Sequence, residues 1–403
     1  MSAFQSGVFN TTGNPSQLNK SSFASTILRR FPNGSAPLFG LTSQSGRSRA
    51  VSSTHGYFSK TMLFVSLTAA AALVGDTNID LGGTSTTAGI VPNMVLHNVR
   101  TRENVRVTAV VDSNTLTVER GFGRVAAAAV NAGDKWIQAG TAFAEGSDRP
   151  VARRMSTVYV PNYTQIFRNA WALTNTAKAS LAEQGYSNIA ESRQDCMAFH
   201  SVDIESAMVW GQPKMDTTGA QPVHTTQGII DAIAQYAPTH INPAAATTNY
   251  AELVALVEPA FTSTANVGNP KGRILVGDAT AIKVITDVGR KSGQVQIMQS
   301  QTQFGMKYTS FQMYKGTLDL IEHPLFNGLG TSGLALVLDM PAIKLAYMDG
   351  RDTMPEEYGT GGKIVESGKD ATGGSLTTEL AVELINPHAC AVITGLTAGV
   401  AEA

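Results

Sequence analysis

The chain has 403 residues, of which 43% are hydrophobic and only 15% are charged, and its 30 basic residues nearly balance its 31 acidic ones. This hydrophobic content excludes a disordered protein, and a net charge of −1 removes the electrostatic attraction on which general nucleic-acid binding depends. The scarcity of charge leaves two interpretations open. Much of the surface is buried against other subunits, or the surface is simply rich in Gly, Ser and Thr.

No signal peptide or membrane span is predicted, because the chain lacks a basic-then-apolar amino terminus and any apolar run of about 18 residues. We therefore expect a cytoplasmic location. Cys196 and Cys390 are far apart and no C-x-x-C motif occurs. Two buried thiols are expected in place of a disulfide or a zinc site. The seven histidines show no metal-ligand spacing, and no metal or cofactor is expected.

Residues 1–56 are poor in periodic hydrophobicity and rich in Gly, Ser, Asn and Thr. Composition alone predicts a disordered terminus, but isolated apolar anchors favour an arm that becomes ordered along a partner. A short helix is predicted from Ser22 to Phe31, since Pro32 cannot continue it. The anchors of this arm are Phe23, Ile27, Leu28, Phe31, Leu38 and Phe39.

A β pattern occupies residues 62–144. Within "NVRVTAVVDSNTLTVERGFG", apolar residues alternate with polar ones on both sides of the turn-prone residues 112–114, which predicts a hairpin. A further short strand carries Trp136. These strands form a unit of roughly 80 residues, which we expect to be an insertion in a larger domain because so small a core is marginal alone.

The stretch "EGSDRPVARRMSTVYVPNYTQIF" at 145–167 combines an Arg pair with an extended, Tyr- and Val-rich run. Helical patterning is predicted after it, from Thr164 to Ala182 and again from Asn188 to Trp210, with Asn162 or Thr164 as the cap. In the second helix, Ile204 and Met208 are expected on the apolar face and Glu205 among the polar residues. Such helices together would span on the order of 60 Å.

Residues 214–403 mix helices and strands that do not alternate regularly, so the fold class predicted is α+β. "TTQGIIDAIAQYA" and "NYAELVALVEPAF" indicate helices, and "GRILVGDATAIKVITDVGRK" indicates a strand, a turn at Gly277 and Asp278, and a helix. Strands are predicted in "MKYTSFQMYKGTLDLIEHP", "LALVLDMPAIKLAYM" and "LTTELAVELINPHACAVITGL". The Gly-rich stretch 359–374 is expected to be an exposed loop.

No group of residues combines an acid, a base and a nucleophile. "GLGTSG" at 328–333 has the G-x-G-x-x-G spacing, but a strand follows it where a nucleotide site requires a helix, so a connecting turn is expected. Asp339 could be a strand-end catalytic carboxylate, although an Asp that caps a turn before Pro341 is favoured. The chain is not expected to be an enzyme.

The order of these parts resembles the major capsid (major head) protein of tailed bacteriophages with the Hong Kong 97-type fold. The resemblance is carried by "AEGSDRPVARRMSTVYVPNYTQIFRNAWALTNTAKA", by "GTLDLIEHPLF", and by "LALVLDMPAIKLAYMDGRDTMPEEYG" with the ending "TTELAVELINPHACAVITGL". These stretches cover about half the chain. They support the fold and the role, and they identify no individual active residue.

The resemblance implies a division of the chain into five parts. They are an amino-terminal arm (1–45), an extended loop (46–162) with an inserted β domain (about 63–140), a peripheral domain with a spine helix (163–224), an axial domain (225–375), and a carboxy-terminal strand (376–403) that returns to the peripheral domain. Strands near 307–322 are also expected to belong to the peripheral domain.

The implied function is self-assembly into the hexamers and pentamers of an icosahedral head that encloses double-stranded DNA. Expected partners are further copies of the chain, a separate scaffolding protein, a portal and a decoration protein, with DNA as non-specific cargo and no membrane. The location implied is the virion, assembled in the bacterial cytoplasm. Candidate intersubunit contacts are Phe23, Arg29, Arg30, Phe31, Glu145, Arg149, Arg153 and Arg154.

Two alternatives stay open at this point. The Gly- and Thr-rich β unit also fits a tail-associated or adhesin-type structural protein of the virion. Asp339 and His323 would be the only residues to motivate a hydrolase with an uncommon site.

Overall fold

The computed structural model describes residues 36–42, 46–60, 65–83, 85–150, 152–179, 188–262, 272–292, 301–303, 306–358 and 370–398. The helix predicted at 22–31 and the contact candidates Phe23, Arg29, Arg30 and Phe31 lie outside these residues. The chain divides into a main unit, Met1–Tyr57 with Pro161–Ala403, and an insertion unit, Phe58–Val160.

None of the helices in these ranges has both the length and the apolar character needed to cross a membrane. The helices are α1 (Pro37–Thr42), α2 (Asn175–Ala179), α3 (Asn188–Trp210), α4 (Ile229–Tyr236), α5 (Tyr250–Thr262), α6 (Ala279–Ser292) and α7 (Pro324–Leu329).

The strands of the first half are β1 (Arg47–Ala50), β2 (Thr54–Ser59), β3 (Ser66–Thr68), β4 (Asn78–Asp80), β5 (Met94–Asn98), β6 (Asn104–Val110), β7 (Thr115–Glu119), β8 (Lys135–Thr141), β9 (Val158–Tyr163), β10 (Gln165–Thr174) and β11 (Lys214–Asp216). Those of the second half are β12 (Val223–Thr225), β13 (Ile241–Pro243), β14 (Gly272–Gly277), β15 (Gln301–Gln303), β16 (Met306–Met313), β17 (Gly316–Glu322), β18 (Ala335–Leu338), β19 (Ile343–Met348), β20 (Met354–Tyr358), β21 (Ala371–Leu384) and β22 (Ala391–Thr394).

In the main unit, a five-stranded sheet has the order β1-β19-β21-β10, with β20 also paired to β21. Its longest ladder joins β10 to β21 in antiparallel register, from Gln165 opposite Leu380 to Thr174 opposite Ala371. The helix α3 packs against β10. Side chains on one face of β10, Phe167 among them, are buried in a core shared with α3, α4 and β19.

The helix predicted from Thr164 to Ala182 is wrong for most of its length, because 165–174 form β10; of the residues described in this range, Asn175–Ala179 are helical. Phe167 and Trp171 explain the error. A spacing of four residues places two side chains on one face of a helix and also on one face of a strand. The ladder with β21 decides for the strand. The 23 residues of α3 span about 35 Å, well short of the length expected for two helices.

A seven-stranded sheet of the main unit has the order β13-β22-β18-β14-β17-β16-β15. Apolar residues of α5 and α6 pack on it and form a second core, which includes Leu253, Ile285 and Leu320. The strand, turn and helix predicted around Gly277 and Asp278 are confirmed as β14 and α6. Asp278 accepts the Ala281 amide at 2.9 Å and so caps α6.

The strands near 307–322, β16 and β17, lie in the seven-stranded sheet and not in the sheet of β10. β17 pairs in parallel with β14, and β16 pairs with β17. A parallel partner allows both faces of β17 to be covered, which suits the buried Leu318 and Leu320 on one face and Ile321 on the other. Of the carboxy-terminal strands, β21 pairs with β10, whereas β22 pairs with β13 and β18.

The insertion unit contains a six-stranded antiparallel sheet of order β3-β8-β5-β6-β7-β4. The predicted hairpin is confirmed as β6 and β7, with the turn at 111–114. Trp136 on β8 is 1% exposed, and it packs with the alternating apolar residues of β5, β6 and β7. This core belongs to the insertion unit alone, so the sequence pattern of period 2 correctly located a separate β unit.

Mixed parallel and antiparallel sheets with helices packed on them confirm the α+β class. The turn predicted at "GLGTSG" begins in the last two residues of α7, Gly328 and Leu329, and ends before β18, with Gly330 in the left-handed region at φ 70°. The loop predicted at 359–374 is wrong where it is described, because Ala371–Gly374 form the start of β21; residues 359–369 lie outside the described ranges.

Candidate assembly surfaces

Four of the contact candidates lie on an exposed segment of the insertion unit. Glu145, Arg149, Arg153 and Arg154 are all exposed, and the segment has no strand until β9 begins. Arg153 Nη1 lies 3.5 Å from the Gly89 carbonyl oxygen, at the limit of a hydrogen bond. Their role as contacts between subunits stays a prediction.

Apolar side chains lie beside this charged segment, where the strands β2 and β9 pair. Phe58 is 73% exposed and Tyr159 is 42% exposed, and their ring centroids are 5.1 Å apart. Val158, between them and the charged segment, is 60% exposed. Exposed aromatic pairs of this kind favour an interaction surface, since aromatic residues are enriched at the cores of interfaces.

The outer face of the five-stranded sheet forms a shallow groove in the main unit. Ala170 and Ala172 of β10 line it together with Gly373 and Ser375 of β21. Arg168 borders the groove, with its Nη2 3.5 Å from Glu356 Oε2. The small central side chains leave backbone accessible, so the face suits close approach by another chain.

The opposite face of this sheet is filled by Trp171, whose indole crosses β21 at Gly374. A Cβ atom at Gly374 would lie 2.5 Å from the Glu356 carbonyl oxygen and 2.8 Å from Trp171 Nε1. The guanidinium of Arg193 on α3 lies over the indole, 5.2 Å from its centroid, and pairs with Glu357 at 2.6 Å. A glycine at 374 therefore allows α3, β10 and β20 to pack at this point.

The base of the amino-terminal segment is fixed by Glu205 of α3. Its carboxylate accepts the backbone amides of Leu38 at 2.8 Å and Phe39 at 2.6 Å, which are the first-turn amides of α1. His323 Nε2 donates to the same carboxylate at 2.6 Å, while its Nδ1 accepts the Leu325 amide at 3.2 Å. Both side chains are fully buried. The carboxylate thus holds α1, α3 and α7 together.

The sequence pattern predicted that Glu205 lies on the polar, exposed face of its helix, and this prediction is wrong. Its neighbours Ile204, Met208 and Val209 are each at most 1% exposed, and Glu205 lies among them at 0%. The spacing from Glu205 to Val209 was the available signal, since residues four apart share a helix face. A carboxylate on an apolar face needs buried donors.

Asn162 and Thr164, predicted as helix caps, instead connect strands inside the main unit. Asn162 Nδ2 donates to the Val382 carbonyl at 2.6 Å, and its Oδ1 accepts the Gln227 amide at 2.7 Å. Thr164 Oγ1 donates to Glu379 Oε1 at 2.8 Å. These buried bonds fix the strand that leaves the insertion unit against β21.

His323 and Asp339, the two residues that motivated the hydrolase alternative, do not share a site. Asp339 is 1% exposed and lies 3.8 Å from Arg273 Nη1, whereas His323 is bound to Glu205. Arg273 also donates to the Ala389 carbonyl at 3.0 Å, so this pair joins β14 to the chain before β22. Within the described ranges, no group of three or more His, Cys, Asp or Glu residues could hold a metal ion.

Both cysteines are free and buried, as predicted. Burial raises the pKa of Cys390 to about 12 and also raises the pKa of the Cys196 thiol. A thiol held in its protonated form is a poor nucleophile and a poor metal ligand. The cysteines therefore have the structural role expected from their spacing.

Two Arg–carboxylate networks fix the loops at one end of the insertion unit. Arg120 and Glu103 form a bidentate pair at 2.7 and 2.9 Å, with side chains 7% and 0% exposed. Burial raises the pKa of Glu103, but the hydrogen bonds from Arg120 and from the Gly121 and Ala128 amides outweigh it and lower the pKa overall. Arg120 also donates to the Leu73 carbonyl at 3.1 Å.

The second network joins Arg100 to Asp134 by two hydrogen bonds of 2.7 Å. These bonds lower the pKa of Asp134 to about 2, with help from the Asn131 amide and the Asn98 side chain. Together the two networks link the loop at Leu73 and the segments at 99–103, 120–121 and 128–134.

Comparison with known proteins gives a match over nearly the whole chain. The sequence profile of the SU10 major capsid protein family matches residues 8–397. The major capsid protein of Pseudomonas phage PaMx41 is 50% identical over 402 residues, which cover 97% of this chain and 96% of that protein.

Solved structures show weaker similarity. Mycobacterium phage Cain aligns with a TM-score of 0.48 and 11% identity over 96% of this chain and 97% of that one. Microbacterium phage Oxtober96 aligns with a TM-score of 0.47 and 12% identity over 94% and 96%. At such scores the alignments carry little weight, and the assignment depends on sequence.

The family match over 8–397 and the 50% identity to a major capsid protein agree with each other. The prediction of a phage major capsid protein, a structural component of the virion, is confirmed, and the tail or adhesin alternative gains no support. The chain belongs to the SU10 major capsid protein family.

Proposed function

We propose that this capsid protein assembles with its own copies into hexamers and pentamers, and that these form an icosahedral head of the Hong Kong 97 type around double-stranded DNA. The observation that carries the proposal is the 50% identity, along 97% of the chain, to a phage major capsid protein. The mixed sheets, the insertion unit and the 23-residue helix α3 agree with that architecture.

The main unit would provide both domains expected of such a subunit. We assign the five-stranded sheet with α3 to the peripheral domain, and the seven-stranded sheet with α5 and α6 to the axial domain at the centre of each capsomer. The insertion unit, Phe58–Val160, would be carried by the extended loop. The sheet order supports this division, although the first core contains residues of both sheets, such as Leu345 of β19 and Leu336 of β18.

The arm predicted at 1–45 would grip a neighbouring subunit. The arm is anchored by Glu205, which holds Leu38 and Phe39 inside the core of its own subunit. These hydrogen bonds attach the end of the arm to α3 of its own subunit.

The exposed segment 145–154 would supply charged contacts between subunits. Its Arg pair, Arg153 and Arg154, suits bidentate hydrogen bonds with carboxylates of a neighbour. Many modest contacts suit a shell better than one tight contact, because effective concentration in a closed assembly multiplies their effect. A net charge of −1 limits repulsion between copies and leaves packaged DNA as non-specific cargo.

Assembly would take place in the bacterial cytoplasm with a separate scaffolding protein, and a portal and a decoration protein would complete the head. We assign the chain no enzymatic activity and no cofactor. Support comes from its membership in a structural family and from the burial of His323 and Asp339 in two separate networks.

Electron microscopy of the expressed protein, with and without the phage's scaffolding protein, tests this function. Closed shells or capsomers of six and five subunits are expected. Fibres, or monomers that never assemble with either addition, would contradict it.

A further inference from the structure

The insertion unit presents an exposed hairpin tip that is both apolar and acidic. Val110 and Val111 at the end of β6 are 37% and 59% exposed. Asp112 follows them, and Asp80 lies beside it on β4, where its Oδ1 accepts the Thr115 hydroxyl at 2.9 Å. We call these four residues, Asp80, Val110, Val111 and Asp112, the acidic tip.

The acidic tip is held in one conformation by local hydrogen bonds. Asp112 Oδ1 accepts the amides of Asn114 at 2.7 Å and Thr115 at 2.8 Å, and these bonds lower the pKa of its carboxyl. Thr87 donates its hydroxyl to the Asp112 carbonyl at 2.8 Å. A rigid tip loses little conformational entropy when it binds, which favours affinity.

The other end of the same sheet is apolar and basic. Leu73, Val74 and Val99 are 74%, 50% and 55% exposed, and Arg102 and Arg124 are exposed beside them. Within the described residues, no ion pair engages either of these two arginines. We call these five residues the basic end.

The arginine networks described above also make the basic end rigid. Arg120 donates to the carbonyls of Leu73 at 3.1 Å and Asp76 at 3.3 Å. Asp76 accepts the Leu73 amide at 2.7 Å, which turns both apolar side chains of this loop outward. Such a preorganised apolar loop resembles the anchors that dominate binding energy at interfaces.

The direction of β7 places the two features at opposite ends. Thr115 begins this strand at the acidic tip, and Arg120 follows its last residue at the basic end. Five residues of strand separate them by about 17 Å. The tip and the end therefore cannot satisfy each other within one subunit.

The two surfaces complement each other in charge and in apolar character. The four residues of the tip include two carboxylates and no basic group. The basic end carries two arginines, with Asp76 as an exposed carboxylate beside them. Two exposed apolar residues beside acidic groups at the tip, and three beside basic groups at the other end, fit the pattern of an apolar centre with a polar rim.

We propose that, in the assembled shell, the acidic tip of one subunit contacts the basic end of a neighbouring subunit, so that insertion units associate head to tail. The inference rests on the proposed shell function. A head-to-tail contact uses two different surfaces, and it closes into a ring when the rotation between subunits allows. Both surfaces are small, so the contact reinforces other interfaces and does not replace them.

Engineered cysteines test the contact directly. Particles would be co-assembled from two kinds of subunit, Val74→Cys and Val110→Cys, and then oxidised. We expect the band on a non-reducing gel to shift from monomer to dimer, and to longer chains when both cysteines are placed on one subunit. Cys196 and Cys390 are buried, so background cross-linking should be low.

Matched controls define the outcome. Val74→Cys particles and Val110→Cys particles, each oxidised alone, should stay monomeric. Dimers from Val110→Cys alone would indicate contact between two tips and would overturn the proposal. Intact co-assembled particles without dimers would overturn it as well. If wild-type protein forms no particles, the proposed function fails instead, and the two failures are thereby distinguished.

Charge variants provide a second measurement that does not depend on cysteines. Asp80→Asn with Asp112→Asn removes the acidic charges, while the carboxamide oxygen introduced at position 112 still accepts the turn amides. Arg102→Gln with Arg124→Gln removes the basic ones. Each pair should lower the temperature at which particles dissociate, and all four changes together should lower it no further than one pair. Additive effects, or none, would contradict the contact.

Discussion

The carboxylate of Glu205 accepts a hydrogen bond from His323 Nε2 at 2.6 Å inside the core, and both side chains are fully buried. The same carboxylate holds the first turn of α1 through the Leu38 and Phe39 amides. A single buried acid on α3 thus determines where the amino-terminal segment leaves the subunit. The arm predicted from the sequence has a fixed origin, which makes its role open to precise experiments.

Glu205→Ala should destabilise the unassembled subunit by about 3–5 kcal/mol, because two amides and an imidazole lose their buried acceptor. Urea denaturation measures this loss. Asp349→Ala is the matched control, since Asp349 pairs with Arg49 on the surface at 62% and 68% side-chain exposure. The control should change stability by less than about 1 kcal/mol. Equal effects would show that the buried acid is not a structural anchor.

Deleting residues 1–35 should prevent shell assembly while leaving the subunit folded. The deletion retains Leu38, Phe39 and Glu205, so the core around α1 stays intact. Thermal unfolding should match that of the full chain, whereas electron microscopy should show no closed shells. Normal shells from the truncated protein would refute the role of the arm.

Charge reversal of the pair Arg153 and Arg154 to Glu should reduce particle yield without lowering the unfolding temperature of the free subunit. Both side chains are exposed, so the folded subunit loses little. Sedimentation of assembly reactions measures the yield. The variant with Lys at both positions keeps the positive charge, so its particle yield should lie between that of the Glu variant and that of the wild type. An unchanged yield in the reversed variant would exclude these residues as contacts.

Gly374→Ala should destabilise the main unit by about 1–3 kcal/mol through overpacking. Its Cβ atom would approach the Glu356 carbonyl oxygen to 2.5 Å and Trp171 Nε1 to 2.8 Å. Gly328→Ala is the control, because nothing lies within 4 Å of the added atom. Thermal melts of both variants provide the comparison. A harmless substitution at 374 would show that the indole can move away.

The insertion unit should lose stability in acid. The pKa of Asp134 is lowered to about 2 by Arg100, below the unfolded value of about 3.9. Because the folded pKa is the lower one, the stabilisation is fully present above about pH 4 and is lost as the pH falls through about 2. Pulsed hydrogen exchange of β6 in urea, compared at pH 5 and pH 2.5, measures this loss of stability. Asp134→Asn should remove part of this pH dependence, and a variant with the full dependence would contradict the assignment.

Recognition of the family required no tertiary information, because whole motifs such as "AEGSDRPVARRMSTVYVPNYTQIF" identify it. The sequence also predicted those elements whose interacting residues are close together along the chain. The hairpin of β6 and β7 follows from alternation around 112–114, and β14 followed by α6 follows from the turn at Gly277 and Asp278.

Tertiary structure alone decided the features that depend on distant partners. Phe167 and Trp171 are spaced for a helix or a strand, and the ladder with β21 selects the strand. Gly373 and Gly374 have the composition of a loop, yet both lie in β21. A Cβ atom would meet the Trp171 carbonyl oxygen at 373, and the Glu356 carbonyl oxygen and the Trp171 indole at 374.

The helix periodicity could place Glu205 on the apolar face, but its hydrogen-bond partners could not be predicted from the sequence. Glu205 is separated from Leu38 by 167 residues and from His323 by 118, and nothing local indicates that they meet. Periodicity reports which side chains share a face, but the free energy of a buried charge depends on donors that other elements supply. The sequence determined the family and the local elements, while the packing of α1, α3 and α7 around one carboxylate determined where the arm begins.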